Sequence, residues 1–459
     1  MRVYGQRNVS KKPKPAMYYI YNFSRIFIGL LFIFSGYVKM VDPYGFALKF
    51  EEYFISFGMD FMTPIAMVFA FLLNCAEFLL GCALLLNIQI RLTSWGLLLF
   101  MMFFTVLTAW LAYAQNIVAI VNNVFDKHFE IFVVTDCGCF GDFIKLTNHE
   151  TFYKNIVFMF FTIIIFSQRN KQKPQQWYYI TQWLPLLLVA GFSLFVQIHC
   201  LRHEPWHDFR PWKVGNFIAG ETYSQAPVVD YVFQYKNNTT GSIKEITMEE
   251  LSLIAEDSIQ SVDLENNYTW HDRIEKIIQE GINAPLADFT ITDIRNKNDI
   301  KNNIITSPNY TFIIFMRDVR EITPEKFEPI RNLIRDLDAN NWDYIVITGS
   351  LLQETEMFNK ENNTDIYFYF SDITPLKTAI RNNPGVILIK QGYVIDKWSF
   401  RDIPSIETIK ASIPEYDEDL EKYKKKHPPL LPDGRDIMEI TAGINNETVA
   451  AEDNSELTN

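Results

Sequence analysis

The chain has few cysteines, and none of them lies in its C-terminal part. Five occur in 459 residues: Cys75, Cys82, Cys137, Cys139 and Cys200. Residues 201–459 therefore cannot carry a dithiol site or a zinc site built from cysteine. That part is also strongly acidic, with 27 Lys and Arg against 44 Asp and Glu. Because acidic surfaces repel polyanions, nucleic acid is excluded as a partner.

Long apolar runs fill the first 200 residues. Residues 19–40, 62–86, 92–113, 152–167 and 179–199 are each apolar over about 20 residues, the length of a membrane-spanning helix. Basic residues gather in the N-terminal segment and in the loops after the second and fourth spans. Because basic loops stay on the cytoplasmic side, the sequence predicts an N-terminus inside and a C-terminal part outside. In a bacterium these are the inner membrane and the periplasm.

Two cysteines separated by one glycine lie in a loop that this topology places outside. Gly138 permits the positive φ that a ring closed by Cys137 and Cys139 needs, and a disulfide persists in an oxidising compartment. Asp136 and Asp142 nearby disfavour the thiolate form. Cys137 and Cys139 are the candidate catalytic residues, and two interpretations stay open: thiol exchange, or a structural disulfide. Zinc is not predicted, because the loop lacks a second ligand pair.

Charged residues inside membrane spans are costly unless they are paired. From their depths, Arg25 of the first span and Glu77 of the second are expected to form an ion pair. Lys39, near the outer end of the first span, is expected to reach the interface or Asp42. The pair either fixes helix packing, or Glu77 serves a proton path or a quinone head group.

Short motifs in this region resemble the DoxX/MauE family of bacterial membrane proteins. They are residues 24–25 (SR), Gly29, residues 35–40 (SGYVKM), 42–45 (DPYG), 76–81 (AEFLLG) and 137–141 (CGCFG). The last run is most similar to the MauE branch. The resemblance implies a four-helix membrane bundle over residues 18–168 and a redox or maturation setting, with a quinone as candidate cofactor. Residues 1–17 would form a cytoplasmic segment, and 179–199 a fifth span outside the minimal family pattern.

Three histidines follow the fifth span, at positions 199, 203 and 207. A spacing of four places His199 and His203 on one helix face, which suits a metal, but Pro205 interrupts the helix before His207. We interpret them as interfacial residues, with a metal site as the alternative. Residues 201–283 are predicted to connect the membrane part to a domain, with a hairpin at 228–235 and 242–247 and a short helix at 271–280.

Residues 284–415 alternate strands and helices and end in a hairpin and a helix. This order predicts an α/β sandwich and resembles the thioredoxin-like fold. The resemblance implies a cis peptide at Asn383-Pro384 and a groove beside it that binds extended peptide. The place of the family's reactive dithiol, residues 316–321 (MRDVRE), has no cysteine, so the domain is predicted to be redox-inactive. Residues 416–459 are polar and predicted to be disordered.

The sequence thus predicts an α-helical membrane bundle followed by a thioredoxin-like domain. The preferred function is support of thiol/disulfide or quinone-linked electron-transfer chemistry outside the membrane, in the maturation of a periplasmic protein. The alternative is a non-catalytic membrane scaffold whose thioredoxin-like domain recruits partner proteins for envelope assembly. Both interpretations predict a periplasmic or membrane protein partner besides the lipid bilayer.

Overall fold

The structure is a computed structural model. It describes residues 16–125, 134, 137–141, 143–144, 146–171, 183–279, 281–282, 284–430 and 434–439. Residues 1–15 of the predicted cytoplasmic segment and 440–459 of the predicted tail lie outside the described residues, as do Asp136 and Asp142.

The membrane part is helical. Its elements are α1 (Ala16–Val41), α2 (Pro43–Ser56), a 3-10 turn (Asp60–Ile65), α3 (Ala66–Leu86), α4 (Ile90–Phe125), α5 (Asn148–Gln168) and α6 (Trp183–Arg202). Within this part, the five helices other than the short α2 are long and apolar enough to cross a membrane. Each overlaps one of the five predicted spans. The span predicted at 62–86 begins in the 3-10 turn before α3, and residues 179–182 of the span predicted at 179–199 lie outside the described residues. Apolar side chains such as Phe103, Val106 and Leu187 remain on the outer surface, as expected for helices that face lipid.

Glycines let α1 and α3 approach closely. A Cβ at Gly36 would lie 2.9 Å from the backbone nitrogen of Phe78, and one at Gly81 would lie 2.7 Å from that of Ile33. Small residues at such contacts are typical of helix pairs in membranes, where close packing replaces the hydrophobic effect. The contacts also fix the antiparallel register of the two helices, with Gly36 level with Phe78.

A small three-stranded sheet follows the membrane part. The elements are α7 (Ile218–Thr222), β1 (Val228–Asn237), β2 (Ile243–Thr247), α8 (Met248–Glu256), α9 (Ser258–Asn267) and β3 (Tyr268–Gln279). Strands β1 and β2 form the predicted hairpin, and β3 pairs antiparallel with the other side of β1. The helix predicted at 271–280 is therefore wrong. Its apolar residues have helical spacing, but pairing with β1 along the whole strand outweighs that local preference.

The second sheet has six strands. Its elements are β4 (Thr292–Asp293), α10 (Lys301–Ile305), β5 (Thr311–Phe315), a 3-10 turn (Val319–Glu321), α11 (Pro324–Ala339), β6 (Asp343–Thr348), α12 (Leu352–Asn362), β7 (Phe368–Phe370), α13 (Ile373–Ala379), β8 (Gly385–Lys390), β9 (Tyr393–Ser399) and α14 (Ile406–Lys426). The strand order is β4-β7-β6-β5-β8-β9. Strand β5 runs parallel to β6 and antiparallel to β8, and β9 completes the hairpin. A βαβ unit joined to a β-hairpin and a final helix is the thioredoxin-like arrangement, as predicted.

Two boundaries differ from the sequence expectation. The core of the sheet domain includes Trp212 and Ile218, both fully buried, so the domain takes residues from the segment predicted to be a connection. Helix α14 continues to Lys426, past residue 415, where the domain was predicted to end, and into the stretch predicted to be disordered. Leu420 is buried in the same core, and this apolar anchor extends the helix.

Candidate functional site

Cys137 and Cys139 are joined by a disulfide. Gly138 between them has a φ of +62°, the left-handed conformation that the sequence predicts for this ring. Cys137 is buried against Tyr53, Leu111 and Val134, whereas Cys139 is half-buried. Both cysteines pack against the same apolar cluster, and Cys139 is the more exposed of the two residues.

A chain of buried polar groups leads from the bundle interior to this disulfide. The Ser35 hydroxyl donates to the Cys139 carbonyl oxygen at 2.6 Å and accepts from Lys39 Nζ at 3.0 Å. Lys39 also forms an ion pair with Glu77, and both side chains are at most 6% exposed. The pair is shielded from water, so each charge depends on the other.

The predicted partners of these charges are wrong. Arg25 does not reach Glu77 but donates to the carbonyl oxygens of Leu84 and Leu85, at 2.7 and 3.1 Å. Lys39 meets Glu77 rather than the interface or Asp42. The reason is the helix register: with Gly36 beside Phe78, Glu77 lies at the level of Lys39. Arg25 lies 14 residues before Lys39 on α1, about 21 Å at 1.5 Å per residue.

Three lysines surround the disulfide loop. Lys39 reaches it through Ser35, and Lys154 Nζ lies 4.4 Å from the centre of the Phe140 ring. The Cγ atom of Lys49 lies 3.2 Å from where a Cβ of Gly138 would be, and the Lys49 ammonium group pairs with Glu52 at 2.9 Å. Cations near a cysteine favour its thiolate form and make it a better leaving group. Sequence reasoning considered the two neighbouring aspartates and missed these lysines, which come from three different helices.

A chamber of about 340 Å³ lies beside the loop, between the membrane part and the thioredoxin-like domain. Gly138, Gly141 and Lys49 line one side, and Thr374, Lys377 and Arg381 of the other domain line the opposite side. The chamber has the size of a small-ligand pocket and mixed charge.

One bidentate ion pair and an aromatic ring hold the thioredoxin-like domain over this chamber. Arg381, which follows α13, makes a bidentate contact to Asp42 at the start of α2, at 2.6 and 2.9 Å. Burial raises the pKa of the Asp42 carboxyl, but the Arg381 guanidinium outweighs this effect, so the pKa is lowered overall. The Tyr44 ring lies under the guanidinium groups of Arg317 and Arg381, at 5.4 and 5.8 Å, and contributes cation–π attraction.

A second ionic cluster joins the end of α6 to β9. Arg210 binds Glu204 and Asp208 at 2.8 and 2.7 Å, and Lys397 lies 3.1 Å from Asp208. Burial raises the pKa of Asp208, but Arg210 and Lys397 outweigh burial and hold that pKa far below its ordinary value. All four side chains are at most 16% exposed. The thioredoxin-like domain is thus anchored by charged side chains that are largely desolvated.

The cis-proline region is buried. The Asn383-Pro384 peptide is cis, as predicted. However, Asn383 and Pro384 are both buried, and Asn383 Nδ2 donates to the Asp318 carbonyl oxygen at 2.9 Å. Asp318 belongs to the run at the place of the family's dithiol. The burial and this hydrogen bond place both residues in the interior of their own domain, and the peptide-binding groove beside them stays a prediction.

The three histidines after the fifth span make separate contacts. His203 Nδ1 lies 2.7 Å from Asp402 of the thioredoxin-like domain, and His207 Nδ1 is hydrogen-bonded to the Tyr37 hydroxyl at 2.6 Å. His199 stacks on His203. Among the described residues no group of three or more His, Cys, Asp and Glu side chains could hold a metal ion. Two of the histidines therefore connect elements rather than share a ligand.

The candidate quinone does not fit the cavity beside Lys39 and Glu77. That cavity has about 40 Å³, whereas an apolar cavity that takes a benzene ring has about 150 Å³. It is lined by Lys154 and Asn155 as well as by the ion pair, and its polarity and size suit water molecules. No step of the chemistry below is assigned to a quinone.

Comparisons with known proteins agree with this architecture. Residues 17–119 match the family model of the methylamine utilisation protein MauE, which confirms the resemblance for α1 to α4. The match ends before the disulfide loop. The chain is a membrane protein whose residues 17–119 match the MauE family model and whose second sheet has the thioredoxin-like arrangement of strands.

Two individual proteins are similar to parts of the chain. Protein TlpB of Flavobacterium psychrophilum is 24% identical over 207 residues, which are 45% of this chain and 52% of that protein. The chain thus matches about half the length of this relative. The solution structure of a Neisseria meningitidis protein described as a thioredoxin is 13% identical, with a TM-score of 0.24, over 30% of this chain and 95% of that one.

Proposed function

We propose that this chain is a membrane-bound thiol–disulfide exchange protein whose Cys137–Cys139 disulfide oxidises a cysteine pair of a protein client. The observation that carries the proposal is the place of the disulfide. Gly138, the residue between the two cysteines, lines a chamber that the thioredoxin-like domain covers, and that domain has no cysteine of its own. The client's thiols must come from another molecule, because no cysteine is among the described residues that line the chamber.

The exchange balances without a further reactant. A client thiolate attacks one sulfur, the Cys137–Cys139 bond breaks, and a mixed disulfide forms while the other cysteine leaves as a thiolate. The second client thiol then loses its proton and attacks the mixed disulfide. The client gains a disulfide, and Cys137 and Cys139 gain two electrons and two protons. We assign attack to Cys139, the more exposed of the two residues, so that Cys137 leaves.

The neighbouring lysines support this reaction. A leaving thiolate develops negative charge, and the Lys154 ammonium lies against Phe140 of the loop that carries it, whereas the Lys49 ammonium pairs with Glu52. Preorganised cations stabilise such charge more strongly in a partly buried site than in water. Ser35 and Lys39 hold the carbonyl group of Cys139 and so orient the loop.

The proposal places the chain in a bacterial inner membrane, with the N-terminus in the cytoplasm and the disulfide loop and thioredoxin-like domain in the periplasm. Support comes from the basic N-terminal segment and loops. In the periplasm the disulfide is maintained by an oxidising environment. The client is then a periplasmic or membrane protein that matures by forming a disulfide.

The test is a single-turnover exchange with the purified full-length chain. A reduced peptide with two cysteines is mixed with the oxidised protein, and the thiols of both are alkylated and counted by mass spectrometry. We expect one peptide disulfide for each chain and two new thiols at Cys137 and Cys139. A variant with both cysteines replaced by Ser is the matched control.

The scaffold alternative has its own supporting observation, since the cysteine-free thioredoxin-like domain is held on the membrane part by buried ion pairs. It predicts that the Cys137–Cys139 bond stays oxidised while the peptide thiols remain. That result would refute the exchange function.

A further inference from the structure

Strand β3 has a free edge. In the order β2-β1-β3 it pairs with β1 on one side and, within the described residues, with no strand on the other. Its side chains from Thr269 to Ile278 are exposed, including 43% of Ile274 and 52% of Ile277. A long exposed edge strand is a template for pairing with another strand.

Local hydrogen bonds identify the backbone groups at that edge. The Arg273 N–H donates to the carboxylate of Asp272 at 2.8 Å, a bond outside the ladder with β1. Tyr231 of β1, opposite Glu275, likewise donates its N–H to the neighbouring Asp230. Since alternate residues of a strand point their N–H and C=O groups to the same side, Arg273 and Glu275 present theirs at the free edge.

We propose that two copies of this chain associate through this edge, with β3 of each copy pairing antiparallel around Ile274. The charges of residues 272–276 read Asp, Arg, Ile, Glu, Lys. With Ile274 opposite its own copy, Arg273 faces Glu275 and Asp272 faces Lys276. Each pairing occurs twice, because a twofold contact is self-complementary. Opposite charges placed directly across a strand pair are attractive.

The neighbouring registers bring like charges together. If one strand slips by one residue, Asp272 faces Glu275 or Arg273 faces Lys276, depending on the direction. If it slips by two residues, Arg273 or Glu275 faces its own copy. The Ile274-centred register is the one among these in which every charge meets an opposite charge.

Two irregularities limit the pairing to this segment. The register between β1 and β3 shifts at Gln234/Tyr235 and at Val228/Val229, which leaves His271 and Ile278 as extra residues of β3. Bulges end regular pairing and prevent uncontrolled extension of an edge. The regular stretch between them is residues 272–277, which contains the self-complementary segment.

The backbone geometry agrees with this register. Arg273 and Glu275 of the two copies would form hydrogen-bonded pairs through their edge groups, and Ile274 would face its copy in a non-hydrogen-bonded pair. The Arg273 N–H would exchange the Asp272 carboxylate for the Glu275 carbonyl oxygen of the second copy. Asp272 is then released to meet Lys276.

Cysteine cross-linking in membranes tests the proposal directly. Facing residues of a non-hydrogen-bonded pair have Cα atoms about 4.5 Å apart, within the range of a disulfide. The full-length Ile274→Cys variant should therefore form a dimer on a non-reducing gel after mild oxidation. The matched control is Ile277→Cys, equally exposed, whose two copies would lie about 20 Å apart along the strands. It should remain monomeric.

Charge reversal adds a second readout to the Ile274→Cys chain. Arg273→Glu places like charges opposite each other twice, and should lower the cross-linked fraction roughly tenfold. Adding Glu275→Arg restores opposite pairs and should restore the cross-link. Equal cross-linking of the two cysteine variants would overturn the proposal, as would no cross-link at Ile274 or no rescue by the double reversal. If another protein occupied the edge of β3, the Ile274→Cys variant would form no cross-link.

Discussion

Glu77 is the counter-ion of Lys39 inside the membrane bundle, and its removal gives a quantitative test. Glu77→Gln keeps the shape of the side chain and removes its charge. Lys39 is 4% exposed, so its ammonium group would be left without a counter-ion. Breaking a buried ion pair from one side costs about 3–5 kcal/mol. The Ser35 hydroxyl remains as a hydrogen-bond partner, which places the expected loss at the lower end, ~3 kcal/mol.

The double variant Lys39→Met/Glu77→Gln distinguishes the loss of the whole ion pair from the loss of one of its charges. It removes both charges, so we expect its free energy of unfolding to lie within about 1 kcal/mol of wild type. The assay is denaturant unfolding of the full-length chain in micelles, followed by circular dichroism. A control double-mutant cycle combines Arg25→Met with Glu77→Gln. The coupling free energy between Arg25 and Glu77 should be less than about 0.5 kcal/mol.

Two results would refute this reasoning. One is a loss below about 1 kcal/mol for Glu77→Gln, the range of an exposed ion pair. The other is a coupling of Arg25 with Glu77 as large as that of Lys39 with Glu77, which would support the pairing expected from sequence.

Further predictions concern the docked domain and the loop. Arg381→Ala should weaken docking of the thioredoxin-like domain by about 2–5 kcal/mol, which faster hydrogen exchange in α13 would report. Lys377→Ala, within α13, should change that exchange little. The lowered pKa values of Asp42 and Asp208 mean that their contribution to docking is fully present above the unfolded value near 3.8 and is lost as pH falls through the folded values. Hydrogen exchange of α13, corrected for its intrinsic pH dependence, should therefore show equal protection at pH 5 and 8 and a loss well below pH 4; a loss near pH 6 would contradict this. Gly138→Ala places a Cβ against the Lys49 side chain at a positive φ and should destabilise the disulfide-bonded loop by about 1–2 kcal/mol. The measurement is the reduction potential of the disulfide, which should rise. The control is Gly58→Ala, where the added Cβ meets nothing within 4 Å.

Local patterns were sufficient to predict the spans and the thioredoxin-like order of elements. A membrane helix is specified by about 20 apolar residues, and strands such as Thr311–Phe315 are short apolar runs between turn signals. The failure at β3 shows the limit of such patterns. Residues 271–280 carry apolar residues at helical spacing, and only their pairing with β1 makes them a strand.

The site depends on contacts that sequence patterns do not contain. The cysteine pair was found because Gly138 is a local signal. The partner of Glu77 was predicted wrongly, because depth counted from the helix ends ignores the register that Gly36 and Gly81 set. The contact of Asp42 with Arg381 joins residues 339 positions apart. No local pattern predicts a contact of that kind.

Exchange at the Cys137–Cys139 disulfide is the central claim, and transfer of this bond to a defined thiol peptide tests it most directly. The oxidised full-length chain, with Cys75, Cys82 and Cys200 replaced by Ala, is mixed with a reduced two-cysteine peptide, and all thiols are counted at successive times. The account predicts one peptide disulfide per chain, with equal gain of thiols at Cys137 and Cys139. Cysteines that stay oxidised while the peptide stays reduced would contradict it.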